Sequence, residues 1–74
     1  MPTTTRTRAL FGKRVRELRL KRKWSQERLA EECGLHPTYI SGIEGGKRNV
    51  GMENVVKLAR ALKVDVGRLF KGVH

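Results

Sequence analysis

Residues 26–45 read QERLAEECGLHPTYISGIEG, and the spacing of apolar and small side chains along this stretch decides the fold. Ser25, just upstream, is a good helix N-cap, and Glu27 in the first turn suits the positive end of a helix dipole. Leu29, Ala30 and Cys33 fall on one helical face, and Gly34 is a natural left-handed stop. His36-Pro37 opens the next helix, with Pro in the first-turn position where its missing N–H costs nothing. Ile40 and Ile43 are the inward pair of that helix, and Gly45-Gly46 ends it. The motif over 25–45 is therefore helix, tight turn, helix. Ala30 is small where the two helices must approach closely, and Gly34 permits the positive φ that reverses the chain. Leu35 joins Ile40 and Ile43 in anchoring the second helix. At about 100° per residue, the face opposite that pair consists of Thr38, Ser41, Gly42 and Gly45, small and polar with nothing to bury. A helix with such a face, beside a basic neighbour, suits the major groove of DNA.

Working outward, Phe11, Val15 and Leu18 recur at i, i+4, i+7 and predict a first helix from about Thr7 to Lys23. Lys47 to Gly51 reads as a loop. Met52, Val55, Leu58, Ala59 and Leu62 predict a fourth helix, and Asp65 caps a short fifth one ending near Phe70. No stretch alternates as a strand does, and no internal repeat is present. The expected fold class is all-α, a compact bundle of five short helices. Residues 7–74 form its single domain, and residues 1–6 are expected as a flexible tail.

Length and composition agree with one small domain: 74 residues, with 17 Lys and Arg against 7 Asp and Glu, for a net charge of +10. Most of that surplus sits in residues 6–23, where Arg6, Arg8, Lys13, Arg14, Arg16, Arg19, Lys21, Arg22 and Lys23 face Glu17 alone. Such density points to a polyanionic partner, for which nucleic acid is the usual one. A solubilising helix face is the bland alternative. A membrane-surface helix is disfavoured, because Leu10, Phe11, Val15 and Leu18 are needed to close so small a core. The lone Cys33 has no disulfide partner, and His36 and His74 are too few for a zinc site. No nucleophile–base or acid–base constellation is present, so no enzyme, cofactor, metal or small-molecule ligand is expected. No apolar run reaches membrane-spanning length and there is no signal-peptide core, which predicts a cytoplasmic protein.

Leu29-Ala30, Gly34-Leu35, Ile40-Ser41 and Ile43-Glu44, followed by Gly46 and Arg48, sit at the spacing of the phage-repressor and Cro superfamily. This superfamily, also called the xenobiotic-response-element family, is one that the chain resembles from about Phe11 to Phe70. Within it, HPTYISGIEGGKRN (36–49) is especially similar to the controller proteins of restriction–modification systems, which are small dimeric transcription regulators made of this domain alone. The resemblance implies a repressor-like helix-turn-helix domain that binds double-stranded DNA sequence-specifically. It also implies a homodimer on a two-fold operator with half-sites about one helical turn apart.

Residue by residue, the resemblance implies that Gln26 holds a DNA phosphate, beside the backbone donors of Ser25 to Glu27. Glu44 would pair with Arg19 and orient it toward a phosphate, and as an exposed pair would be worth only about 0–1 kcal/mol. Lys47, Arg48 and Asn49 would grip the backbone after the recognition helix. His36 is expected as an N-cap, with a phosphate contact when protonated. Base readout is expected from Pro37, Thr38, Tyr39, Ser41 and Gly42. Thr38 would bond a base edge or pack its methyl on a thymine, and Gly42 would allow close backbone approach. Tyr39 either reaches a phosphate or stacks beside the groove, or else forms a partly buried edge of the core. Trp24 takes an apolar position of the family and is expected in the core.

The departures from the pattern are Pro37, where many controller-like sequences carry Arg, Val50 and Gly51, where Pro and Ser are frequent, and Lys23, where Gly is frequent. The missing arginine shifts the burden of specificity to Thr38, Tyr39 and DNA shape. The dimer surface is expected from Val64, Val66, Leu69, Phe70 and Val73, unless that cluster simply closes its own core. Two rival readings stand beside the regulator. One is a sequence-independent nucleic-acid binder driven by the basic first helix. The other is an antitoxin-type autoregulator with a protein partner.

Overall fold

The computed structural model describes residues 3–74, and over them the chain folds into five helices with no strand. They are α1 (Thr3–Lys21), α2 (Gln26–Cys33), α3 (Pro37–Glu44), α4 (Met52–Leu62) and α5 (Val66–Leu69). α1 starts four residues before its apolar spacing predicts, so residues 3–6 of the expected tail are helical, while Met1 and Pro2 lie outside the described residues. A polar TTTR start carries no periodicity to mark it, and a nucleated helix extends through such residues one bond at a time. The helix ends at Lys21 because Lys23 adopts φ 58°, and Trp24 N–H then bonds back to the Arg19 carbonyl at 3.3 Å. A lysine in that left-handed well costs roughly 1–2 kcal/mol, which a glycine would avoid.

The expected caps are in place. Ser25 Oγ accepts from Arg28 N–H at 3.0 Å, and Asp65 Oδ1 accepts from Arg68 N–H at 2.6 Å. His36 Nδ1 accepts from Thr38 N–H at 3.1 Å, with Pro37 opening α3 behind it. Gly34 takes φ 70°, and Leu35 N–H returns to the Ala30 carbonyl at 2.9 Å, which closes the tight turn between α2 and α3.

α3 packs on α1 and α2, α4 packs on α2, and α5 closes the far end against α1 and α4. The core they share consists of Phe11, Val15, Leu18, Leu29, Ala30, Cys33, Ile40, Ile43, Val55, Leu58, Ala59, Leu62 and Leu69. Arg14 is buried with them, and its Nε donates to the Arg68 carbonyl at 3.0 Å, which ties α5 to α1. Arg22 reaches the C-terminal end of α4 at the Leu62 carbonyl. Part of the basic cluster in α1 is therefore spent on the fold's own carbonyls. Met52, read as an inward position of α4, is 83% exposed because the first residue of the helix lies beyond the reach of the core. Trp24 is half-buried at the core's edge, with the guanidinium carbons of Arg22 and Arg28 at 4.7 and 5.1 Å from its ring centroid.

Cys33 lies between α2 and α4, its thiol directed at the Lys57 carbonyl. Burial, helped by the Glu32 carboxylate, pushes its pKa up from an ordinary 9.0 to about 11. Folding thus favours the neutral thiol. Its contribution to stability is complete below pH 9.0 and fades as the pH rises through about 11. A rise of about two units lowers the reactive thiolate about 100-fold. Iodoacetamide at mildly alkaline pH is therefore expected to label the native chain at least about 100-fold more slowly than the urea-unfolded chain. Equal rates would place the thiol in solvent.

Candidate nucleic-acid interface

α3 presents a small, polar outer face because its only large apolar residues, Ile40 and Ile43, are fully buried beneath it. Thr38 and Ser41 are exposed on that face, and with Gly42, Gly45, Lys47 and Arg48 they line one shallow groove of about 500 Å³. The groove thus holds Thr38, Ser41 and Gly42 of the five residues expected to face bases, together with two cations of the following loop, while Pro37 and Tyr39 lie outside it. Pro37 is half-buried at the N-terminus of α3. Its ring takes the first-turn position, and no guanidinium stands there.

The network beneath this face differs from the expectation. Glu44 receives Arg19 in a bidentate pair, with Nε to Oε2 at 2.7 Å and Nη2 to Oε1 at 2.9 Å. The third nitrogen, Nη1, donates to the Trp24 carbonyl at 2.7 Å. The Arg19 and Glu44 side chains are only 9% and 4% exposed. The bond to Glu44 holds the Arg19 pKa above its ordinary value, against the opposing effect of burial. Arg19 is therefore a buried cation with three of its five N–H groups committed to the fold, and the pair is not the exposed kind. Gln26 joins it, donating from Nε2 to Glu44 Oε1 at 3.2 Å. One carboxylate at the end of α3 thus locks the N-terminus of α2 and the C-terminal part of α1 in register. Gln26 keeps its amide oxygen and one N–H to offer outward.

Tyr39 settles at the flank of α3. Its ring packs against the core's edge, and its hydroxyl accepts from Asn54 Nδ2 at 3.1 Å, so the O–H proton remains available to an outside acceptor. Asn54, in the first turn of α4, was not foreseen, since only the folded chain brings the start of α4 to the Tyr39 hydroxyl. Arg48 was expected among the loop residues that grip the DNA backbone. Its side chain folds across α3 beside Gly42, with Cζ 5.5 Å from the Tyr39 ring centroid. Asn49 lines a different depression, beside Thr7, Arg8, Phe11 and Val50, and Arg48 borders both, so Lys47 and Asn49 stand on two surfaces with Arg48 between them.

At the other end, the expected dimer cluster divides. Leu69 is fully buried in its own core, and Val64 and Val73 pack half-buried against it, because α5 is too short to serve two surfaces. Val66 and Phe70 remain 42% and 38% exposed, with the Phe70 ring 5.0 Å from Phe11.

This architecture recurs in known proteins. A helix-turn-helix family model matches residues 15–69. The control protein C.BamHI of Bacillus amyloliquefaciens is 55% identical over 63 residues, spanning 84% of this chain and 78% of that protein. This chain belongs to the helix-turn-helix family, among its controller proteins. The crystal structure of the restriction–modification controller protein C.AhdI from Aeromonas hydrophila superposes with a TM-score of 0.84. The two are 46% identical, over 85% of this chain and 96% of that one. A structure of the controller protein C.Esp1396I, solved as a tetramer on its natural 35-base-pair operator, is similar too, with a TM-score of 0.82 at 28% identity. It covers 90% of this chain and 88% of that one. These relatives are named as regulators rather than enzymes. Among the described residues, no helix is long and apolar enough to cross a membrane.

Proposed function

We propose that this chain is a sequence-specific, double-stranded DNA-binding regulator of transcription that works as a homodimer on a two-fold operator. The observation that carries the reading is the exposed polar face of α3, where Thr38, Ser41 and Gly42 stand between the N-terminus of α2 and the cations Lys47 and Arg48. A face of this width, lined by small polar side chains, fits a major groove and repays its desolvation with hydrogen bonds to base edges. Phosphates on either side fall to Gln26 with the backbone donors of Ser25–Glu27, to His36, to Lys47 and to Asn49. Arg48, lying across α3, belongs with the base-facing set of Pro37, Thr38, Tyr39, Ser41 and Gly42. Controller proteins of restriction–modification systems provide a functional parallel, and a cytoplasmic location follows from the DNA partner.

The test compares the wild type and Thr38→Ala on a randomised duplex library. Thr38→Ala is expected to relax preference at one base pair of each half-site by roughly 1–3 kcal/mol and to leave the others intact. Unchanged preference would remove Thr38 from the readout.

We place the dimer contact on Val66 and Phe70, the apolar side chains that α5 leaves exposed. Val66→Glu is expected to shift sedimentation from dimer to monomer and to lower the melting temperature only by what association supplies, since the new charge meets solvent in the monomer. A dimer that persists would move the interface elsewhere.

A further inference from the structure

Gly42 lies in the middle of a recognition helix, where alanine is the better helix former. Its place is explained by Arg48. A Cβ built on Gly42 would stand 2.7 Å from Arg48 Cγ, 3.2 Å from Nε and 3.5 Å from Cδ. The Arg48 stem therefore runs directly over the backbone of α3, through space that any side chain at 42 would fill. Beyond that crossing the guanidinium reaches the Tyr39 ring, at 5.5 Å from its centroid. The ring is itself held, through its hydroxyl, by Asn54 at 3.1 Å. A free arginine samples many rotamers, and those lost on binding weaken the complex. An arginine already laid in one conformation loses fewer.

We infer that Gly42 and Tyr39 are positioning residues for Arg48. Gly42 provides a seat for the stem, Tyr39 a platform for the guanidinium, and Asn54 a brace for the platform. Arg48, a loop residue, is thereby delivered to the α3 face before DNA arrives. The inference deepens the proposed function and rests on it. It replaces the expectation that Gly42 serves close approach of the DNA itself.

The test is a double-mutant cycle on the duplex that the wild type selects, at low enough salt that Arg48→Ala still binds measurably. Gly42→Ala is expected to weaken binding about tenfold in the wild type and less than about twofold in the Arg48→Ala background. Equal losses in the two backgrounds, or no loss in the first, would overturn the inference. A second readout needs no DNA. In the free protein, the Arg48 side-chain protons should be shifted upfield by the Tyr39 ring, and the shift should vanish in Gly42→Ala and in Tyr39→Leu. A shift that survives Gly42→Ala would also overturn it. The melting temperature of Gly42→Ala should hold or rise, since the flexible stem of Arg48 swings away and the helix gains an alanine. A wild type that selects no sequence would overturn both the inference and the function beneath it. A wild type that binds its selected duplex but gives an additive cycle would overturn the inference alone.

Discussion

Glu44→Ala is expected to remove about 3–5 kcal/mol of folding stability, out of a total of about 4–11 kcal/mol for a domain of this size. The loss is large because of what remains behind. Arg19 commits Nε and Nη2 to Glu44 at 2.7 and 2.9 Å, and with both side chains nearly closed to solvent its charge would be left with the weaker, longer-range attraction of Glu27. Gln26 would lose its acceptor as well. Urea-unfolding midpoints measure the effect, with Arg19→Met and the double substitution Arg19→Met, Glu44→Leu beside it. The double variant should recover at least about half of the stability that Glu44→Ala loses, because an apolar pair in the same space needs no partner. A loss within about 1 kcal/mol for Glu44→Ala would mean that the pair behaves as an exposed one.

Gly12→Ala is the second large effect, and intrinsic propensity predicts the opposite sign. In the middle of a helix alanine is favoured over glycine by about 1 kcal/mol. Here α1 crosses the end of α3 so closely that a Cβ on Gly12 would overlap the Ile43 carbonyl oxygen. It would also stand within 2.8 Å of the Glu44 carbonyl oxygen. These are backbone atoms and have no rotamer to escape into, so the two helices must separate. A net destabilisation of about 3 kcal/mol is expected, at the upper end of overpacking costs. A loss of DNA binding should accompany it as α3 is lifted and Ile40 and Ile43 leave the core. Thermal unfolding decides the matter, since an unchanged or raised melting temperature would show that the crossing has room.

What the sequence reveals about this molecule follows the range of each interaction. Ser25, Gly34, His36 and Asp65 act within four residues of themselves, so their capping roles are legible from neighbours alone. The apolar period of α1 and α4 finds the core for the same reason, and it fails only where the helix outruns the core, at Met52 and at the polar start of α1. Gly12 and Arg14 are silent in the sequence, because each answers to a segment that packs on it from far along the chain. Arg19 illustrates the intermediate case. Its pairing with Glu44 follows from the family pattern, but its burial does not, and burial decides whether the charge faces DNA or the fold. Arg48 is similar: its type and loop position are plain, while its path over Gly42 to Tyr39 exists only once α3 and the loop are folded together. The exposed face of α3 was legible because helical geometry places Thr38, Ser41 and Gly42 opposite Ile40 and Ile43 whatever else the chain does.

The most direct test of the account is selection of binders from a random double-stranded DNA pool at near-physiological salt, followed by sequencing. The account predicts a two-fold symmetric motif, with half-sites centred about 10 base pairs apart or a multiple of that. Enrichment with no shared motif would contradict it, and would mean that the basic surface of α1 holds DNA by charge alone.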